Sequence, residues 1–453
     1  MLKYLSAIAG VFLLVATAGQ LGAQTPEVSD AAALVKEVDR LARPLLWPGF
    51  DPRRTPIAIY DGSQTLLFRH PSPPSGFVSV AAALGVVRYS GRYPEVSANS
   101  SAAIGGVTTA TLMPAAAGDT RTGRAGIAIH EAFHVFQRQR HPTWSANEAD
   151  LFTYPTGDTA LLSARRREYL LLRKALLARD RGSSACDAFV ALVERRGRFA
   201  RLGEAGADYE RKSELNEGLA TYVEKKAIGS SNDAAVPDVS LAPDAIRAHA
   251  YRSGTALARL LDRFAPAWRD SLEAGDARSL DELLSAALAR TNTERPNCGL
   301  DNATRQDIDR AAAHDVAGLT ASLQAERDRF LAVPGWQVVI DASRAVLIPS
   351  GFDPLNVKLV TAGEVLHTRF VKLGNDGGTL EVLGRGALSE SAGAHPLFNG
   401  VRVVTITGLD SEPVVTGADG LIKLVASGVS AEFKHATMQR EGKVIRIVLG
   451  GSP

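Results

Sequence analysis

Two histidines stand four residues apart in the stretch GIAIHEAFHVFQRQR, and a glutamate directly follows the first of them. Residues four apart on an α-helix lie on one face, so His130 and His134 can direct two imidazole nitrogens at one metal ion. Glu131 then stands where its carboxylate can take a proton from a water on that ion. The alternative interpretation is an ordinary core helix with two hydrogen-bonded histidines.

A third metal ligand has to come from another part of the chain. The stretch SELNEGLATYVEKKA has the apolar spacing of an amphipathic helix and contains Glu217. A glutamate on the buried face of such a helix needs a partner, and a metal ion is one. Glu214 and Glu224 are eligible on the same helix. Glu168 is a weaker candidate, because the arginines beside it in RRREYLL predict a solvated, salt-bridged face.

Three motifs, HEAFH, NEGLATYVE and AYRSGTALARLL, follow one another in this order between about residues 107 and 264. They resemble the motifs of gluzincin zinc metallopeptidases, especially the aminopeptidase-N-like branch. The resemblance implies that His130, His134 and Glu217 bind one Zn²⁺ per chain. It also implies that Glu131 is the general base and that the phenol of Tyr251 stabilises the oxyanion.

Two features depart from the pattern of that family, and one role stays open. The stretch AAIGGVTTATLMP has no acidic residue where the aminopeptidases carry the glutamate that anchors the substrate amine, which favours an endopeptidase. The separation between His134 and Glu217 is longer than usual and predicts a helical insertion, whose body Asp158 opens. Tyr222 and His249 remain alternatives to the tyrosine of YRSG as the oxyanion-stabilising group.

Composition places the chain among globular proteins. It has 453 residues, of which 45% are hydrophobic and 22% charged, so it is long enough for two or three domains. The formal net charge of +2 gives no reason to expect nucleic acid as a partner.

Hydrophobic periodicity changes twice along the sequence. Residues 24–120 mix helical and strand-like stretches with a hairpin around Asp61-Gly62, residues 121–335 have helical spacing, and residues 336–453 alternate with period two. We therefore predict an α+β chain. Its mixed N-terminal region with strands belongs to the catalytic unit, its mainly helical zincin-like core carries the metal, and its C-terminal all-β domain is a sandwich or a barrel.

The N-terminus has the pattern of a secretory signal peptide. Lys3 precedes the apolar run SAIAGVFLLVATAG, and small residues at Gly22-Ala23 predict cleavage after residue 23, with cleavage after residue 18 as the alternative. We therefore expect a secreted or periplasmic protein with no stable membrane span; an uncleaved anchor is the alternative. Cys186 and Cys298 are either a disulfide pair or two buried thiols.

The function that best fits these patterns is that of an exported zinc peptidase acting on peptides or proteins. A zinc-binding envelope protein without activity, serving as a binding or scaffold module, is the first alternative. A metal-free envelope protein with buried histidines is the second. The β domain offers a surface for a cell-envelope partner, and nothing in its residues specifies that partner.

Overall fold

The computed structural model describes residues 28–80, 85–291, 298–352, 356–393, 395–418 and 420–450. They divide into two compact units, one built from residues 28–148 and 158–313 and the other from residues 149–157 and 314–450. Helices and strands are both abundant, and the C-terminal part is all β, so the α+β prediction is confirmed at this level. No helix in these ranges is both long and apolar enough to cross a membrane. The predicted signal peptide, residues 1–23, lies outside the described residues.

A six-stranded sheet lies in the first unit. Its strands in chain order are β1 (Ile57–Tyr60), β2 (Gln64–Phe68), β3 (Val78–Ser79), β4 (Val86–Ser90), β5 (Ser100–Ile104) and β6 (Val107–Leu112). Their spatial order is β3-β4-β2-β1-β6-β5, which places β5 at an edge. β1 and β6 run parallel, and the other neighbours are antiparallel. The predicted hairpin is confirmed: Asp61 Oδ1 accepts hydrogen bonds from the backbone N–H groups of Ser63 and Gln64 at the turn.

Helices make up most of the rest of the first unit, and the last of them continues past residue 313 into the second unit. The helices in chain order are α1 (Val28–Leu41), α2 (Arg121–Arg140), α3 (Thr159–Leu177), α4 (Arg181–Leu202), α5 (Glu204–Ser213), α6 (Leu219–Ala227), α7 (Asn232–Ala235), α8 (Ile246–Phe264), α9 (Trp268–Glu273), α10 (Leu280–Leu288) and α11 (Asn302–Leu331). A π-helical turn, Glu214–Gly218, joins α5 to α6 without a break. Asp158 caps α3 by accepting hydrogen bonds from the backbone of Ala160 and Leu161, so the helix predicted to begin there is confirmed.

One apolar core fixes the orientation of α2. Residues from both predicted segments, 24–120 and 121–335, contribute to it. Phe133 on α2 meets Trp47 and Phe50 edge-on, with ring centroids 5.4 Å and 5.1 Å apart. Full burial of one such side chain stabilises the fold by about 1.5–3 kcal/mol. The helix therefore has one favourable rotation about its axis, and this rotation determines which side its polar residues face.

A disulfide bond closes part of the first unit. It joins Cys186 on α4 to Cys298, 112 positions along the chain, and so decides between the two alternatives left open by the sequence. Next to it, the side chain of Asp187 accepts a hydrogen bond from the backbone N–H of Gly299. Closing a loop of this length stabilises a fold by about 4–5 kcal/mol on the chain-entropy model.

The second unit contains two sheets that share one apolar core. Its strands in chain order are β7 (Trp336–Asp341), β8 (Ile348–Phe352), β9 (Val357–Thr361), β10 (Glu364–His367), β11 (Phe370–Asn375), β12 (Gly378–Leu383), β13 (Ala387–Ser391), β14 (Val401–Leu409), β15 (Val414–Ala418), β16 (Leu421–Ala426), β17 (Val429–Phe433), β18 (Ala436–Glu441) and β19 (Val444–Leu449). One sheet has the order β18-β19-β7-β14-β13-β10-β9, and the other has the order β15-β16-β17-β12-β11-β8. The turn Asn375-Asp376-Gly377-Gly378 joins β11 to β12, as alternation and turn residues predict.

Candidate metal centre

Helix α2 holds the two histidines at one point in space. Thr120 caps the helix by accepting a hydrogen bond from the backbone N–H of Gly123, and Ile129 on the same helix is fully buried. His130 is itself buried, and its Nε2 atom lies 3.1 Å from the Nε2 atom of His134. Both rings therefore direct the same kind of nitrogen at the same position, as the four-residue spacing predicts.

The third predicted ligand arrives on the π turn. Glu217 lies in this turn, and its Oε2 atom is 3.2 Å from His134 Nε2 and 3.7 Å from His130 Nε2. π turns occur mostly as single wide turns within α-helices, frequently at functional sites. The structure thus brings together the three side chains that the motifs single out, although Glu217 is far from both histidines in sequence.

The geometry of these three atoms fits a small tetrahedral cation. Ligand bonds of 2.0–2.1 Å to a tetrahedral zinc ion place neighbouring ligand atoms about 3.3 Å apart, and the observed separations scatter around that value. Glu217 Oε2 is buried and has no hydrogen-bond partner, which is unfavourable unless a cation satisfies it. Among the described residues, His130, His134 and Glu217 form the one group of acidic, histidine or cysteine side chains with this convergence. The donor set of two imidazoles and a carboxylate suits Zn²⁺.

Two further residues stand behind the ligands. Glu224, two helical turns after the third ligand, places a carboxylate oxygen 3.3 Å from His130 Nδ1. Arg247 on α8 donates from Nη2 to Glu217 Oε1 over 2.9 Å. A carboxylate behind a histidine and a hydrogen bond to a ligating carboxylate are the usual means by which proteins orient metal ligands. His130 Nδ1 and Glu217 Oε1, which face away from the centre, therefore each have a charged neighbour.

Electrostatics of the centre favour an ionised Glu217. Burial opposes its ionisation, but His130 and His134 outweigh burial and hold the pKa of this carboxyl well below its usual range. Burial likewise opposes a charged His130, yet Glu217 and Glu224 outweigh it and raise the pKa of His130 to about 10. The site is thus built to place a positive charge between carboxylates, whether that charge is a proton or a metal ion.

Glu131 has the environment of a base with raised proton affinity. It is buried on α2 directly after the first histidine. Burial raises the pKa of Glu131, while the charges of His130 and His134 lower it less. A carboxyl whose pKa moves toward neutrality can both accept and return a proton during a reaction near pH 7.

The three candidates for stabilising an oxyanion lie in different surroundings. The ring of Tyr251 stacks on the ring of His130, with centroids 6.0 Å apart and planes 9° from parallel. Burial, followed by the nearby Glu217 carboxylate, raises the pKa of Tyr251, so its phenol remains a hydrogen-bond donor. The Tyr222 hydroxyl instead donates to Asp262 over 2.8 Å.

His249 is fully buried, and neither of its ring nitrogens has a hydrogen-bond partner. Its ring packs on that of Tyr169, with centroids 6.2 Å apart. Burial, and then the charges of neighbouring arginines, lower the pKa of His249 well below its usual value. Of the three candidates, Tyr251 is the one that contacts a ligand histidine; its catalytic role stays a prediction.

The solvated face predicted around Glu168 is wrong. This glutamate is completely buried and lies 2.7 Å from an Nη2 atom of Arg195 and 2.8 Å from one of Arg198. The preceding Arg165 and Arg166 are also buried, where they donate to backbone carbonyl groups of residues 241–243. A run of charged residues lies at the surface when water is its partner; here the partners are α4 and the segment 241–243.

The π turn separates two glutamates that the sequence treats as equivalent. Glu214 is fully buried, accepts hydrogen bonds from Arg195 over 2.6 and 2.8 Å and contacts the hydroxyl of Ser253. Glu217 faces the histidines instead. Arg247, which donates to the ligand carboxylate, is not among the site residues predicted from the sequence. The signal was present in its spacing, since Arg247 lies one turn before the tyrosine of YRSG on the same helix face.

Comparison of the chain with protein-family models, with curated proteins and with solved structures finds no match. The resemblance to gluzincins therefore depends on the sequence motifs.

Proposed function

We propose that this protein is a zinc-dependent peptidase of gluzincin type. The observation that carries the proposal is the convergence of His130 Nε2, His134 Nε2 and the unpartnered Glu217 Oε2 beside Glu131. A purely structural zinc site usually has four protein ligands, whereas a catalytic site has three and keeps one position open. Three ligands with a neighbouring carboxylate therefore favour catalysis over a scaffold role.

Each residue has a distinct part in this proposal. His130, His134 and Glu217 would hold the ion, which when bound supplies an acidified water and an electrophile for the substrate carbonyl. Glu131 takes a proton from the attacking water and returns it to the leaving amine. The phenol of Tyr251 donates a hydrogen bond to the oxygen on which negative charge develops.

Strand β5 supports a peptide as the substrate. It forms the edge of the six-stranded sheet, and α2 packs beside it in the same unit. An exposed edge can accept an extended peptide as an additional strand. The β5–β6 hairpin contains the stretch that lacks an amine-anchoring glutamate, so we favour an endopeptidase over an aminopeptidase.

Export forms part of the same proposal. The disulfide between Cys186 and Cys298 supports it, because such bonds persist in oxidising compartments such as the periplasm or the extracellular medium. We propose that the C-terminal β domain is a sandwich, since its two sheets share one core. In this proposal, the β domain is the module that binds a cell-envelope partner.

Elemental analysis of the purified protein tests the proposal. We expect about one zinc per chain in the wild type, loss of zinc in Glu217→Ala, and retention in Glu204→Ala. Glu204 is an exposed glutamate at the start of the preceding helix α5 and serves as the matched control. Circular dichroism has to show that both variants are folded. A wild type that takes up no zinc even after refolding with it would refute the proposal.

A further inference from the structure

Gln137 occupies a central position beside the metal centre, and neither its motif nor its residue type marks it in the sequence. It lies on α2, three residues after His134, and is 2% exposed. Its Oε1 atom is 2.8 Å from His134 Nδ1. Its Nε2 atom donates hydrogen bonds of 2.9 Å to the backbone carbonyl groups of Leu215 and Asn216. One buried side chain thus contacts the second ligand and the turn that carries the third.

These contacts determine which atom of the amide faces which partner. Carbonyl oxygens only accept hydrogen bonds, so the NH₂ group of Gln137 has to face Leu215 and Asn216. The amide oxygen then faces His134, and because that oxygen also only accepts, His134 Nδ1 has to carry the proton. The lone pair of the neutral imidazole is consequently on Nε2, the atom that points at Glu217.

The same amide links two distant parts of the chain. Leu215 and Asn216 belong to the π turn and directly precede Glu217. Movement of this turn away from α2 would break both donor bonds, and rotation of the His134 ring would break the acceptor bond. The three hydrogen bonds therefore fix the ring of one ligand relative to the backbone of another.

We propose that Gln137 is a positioning residue of the metal centre: it selects the Nδ1–H tautomer of His134 and holds the turn of Glu217 in place. The role in metal binding rests on the proposed function. The preference for the Nδ1–H tautomer of His134 is a property of the metal-free protein and can be tested without zinc. Partners of metal-ligating histidines typically change metal affinity by 10- to 100-fold when they are removed. We expect a change of that size here.

Two substitutions separate the two contacts. Gln137→Met keeps the length of the side chain and removes all three hydrogen bonds. Gln137→Glu keeps an oxygen that can accept from His134 and removes the NH₂ donor. Gln139→Met, at an exposed position of the same helix, is the matched control.

Long-range ¹H–¹⁵N spectra of histidine-labelled protein, stripped of metal, report the tautomer of His134 directly. We expect Nδ1–H in the wild type, in Gln137→Glu and in Gln139→Met, and loss of this preference in Gln137→Met. Competition with a zinc-binding dye should show 10- to 100-fold weaker zinc binding in Gln137→Met and unchanged binding in Gln139→Met. Thermal unfolding of each metal-free variant establishes that it is folded.

The outcomes distinguish this inference from the proposed function. A neutral His134 that carries its proton on Nε2 alone in the wild type would overturn the inference, as would zinc affinities within twofold of the wild type in both Gln137 variants. A wild type that has the Nδ1–H tautomer, loses it in Gln137→Met and binds no zinc would support the orienting role of Gln137 while contradicting the zinc proposal alone. If Gln137→Met does not fold, Gln137→Glu carries the test: retained tautomer with weakened zinc binding supports the inference, and unchanged binding overturns it.

Discussion

Gly218 and Gly254 touch through their backbones. A Cβ atom added to Gly218 would lie 2.7 Å from the Cα atom of Gly254, and one added to Gly254 would lie 2.9 Å from the carbonyl oxygen of Glu214. These are the glycines of the NEG and YRSG motifs. Their contact brings the π turn against α8, which is how Glu217 and Tyr251 come to share one site.

Replacing Gly218 with alanine should therefore separate these two elements. We expect Gly218→Ala to lower the free energy of unfolding by about 1–3 kcal/mol, because neither neighbouring backbone can move aside. It should also weaken zinc binding by shifting Glu217. Gly197→Ala is the control: this glycine lies in the exposed part of α4 with nothing near its added methyl, so alanine should stabilise by about 0.5–1 kcal/mol. Urea unfolding of both variants checks the prediction, and an unaffected Gly218→Ala would contradict it.

Glu131→Gln should reduce kcat strongly without emptying the metal site. The amide keeps the shape of the carboxyl but cannot accept a proton, and general-base catalysis contributes about 10²–10⁴-fold to a rate. We expect kcat for a peptide selected from a library to fall by that factor while the zinc content stays near one per chain. Equal activity in both proteins would remove Glu131 from the mechanism. Full metal content with no turnover by the wild type on any peptide would instead favour the binding or scaffold alternative.

Tyr251→Phe and Tyr222→Phe should have opposite consequences. Loss of a hydrogen bond to a developing oxyanion reduces kcat by about 10²–10³-fold, so Tyr251→Phe should lower kcat with little effect on stability. Tyr222→Phe removes the hydrogen bond that this buried tyrosine donates to Asp262 and should destabilise by about 0.5–1.5 kcal/mol while leaving kcat unchanged. Steady-state kinetics and thermal unfolding of the two variants distinguish the tyrosines. A larger kcat effect in Tyr222→Phe would reverse their assignment.

Acid should destabilise the β domain through His367. Burial lowers the pKa of His367 from 6.5 to about 4, so the folded state holds the neutral ring while the unfolded chain binds a proton below pH 6.5. Stability is therefore complete above pH 6.5 and declines as the pH falls toward 4, by up to roughly 3 kcal/mol.

The His367→Gln variant tests this dependence, because a side-chain amide can still bond to the hydroxyl of Ser389, which lies 3.0 Å from the histidine ring. The difference in unfolding free energy between wild type and variant should shift with pH between 6.5 and 4 and stay constant above that range. His314→Gln, at an exposed histidine of α11, is the control. A wild-type profile that matches the His367→Gln profile throughout would contradict the prediction.

The parts of the fold that the sequence predicts are those specified by near neighbours. The hairpin at Asp61, the cap at Asp158 and the turn at Asn375 each depend on residues two or three positions away, and each is present. The two histidines of HEAFH share a face for the same reason. Local spacing in the sequence therefore predicts that the two histidines lie together, but not which residue completes the candidate metal centre.

The remaining features depend on partners that lie far away in sequence. Arg195 and Arg198 supply the buried partners of Glu168 from another helix, and no local pattern distinguishes such a glutamate from a solvated one. The side chains of Glu214 and Glu217 point to different partners because of a π turn, and a π turn has no simple sequence signature. Gln137 could have been noted from its position three residues after His134, but the carbonyl groups that orient it belong to a turn 78 and 79 positions away.

The disulfide also bears on how the protein has to be prepared. Its loop, from Cys186 to Cys298, encloses both Glu217 and Tyr251, while the two histidines lie outside it. Thiol reductants in a purification buffer would break this bond and remove about 4–5 kcal/mol of stabilisation from the fold that carries Glu217 and Tyr251. Under the proposed zinc function, protein made in a reducing host would then carry less metal than protein oxidised during refolding, and an assay on such material would understate the proposed activity.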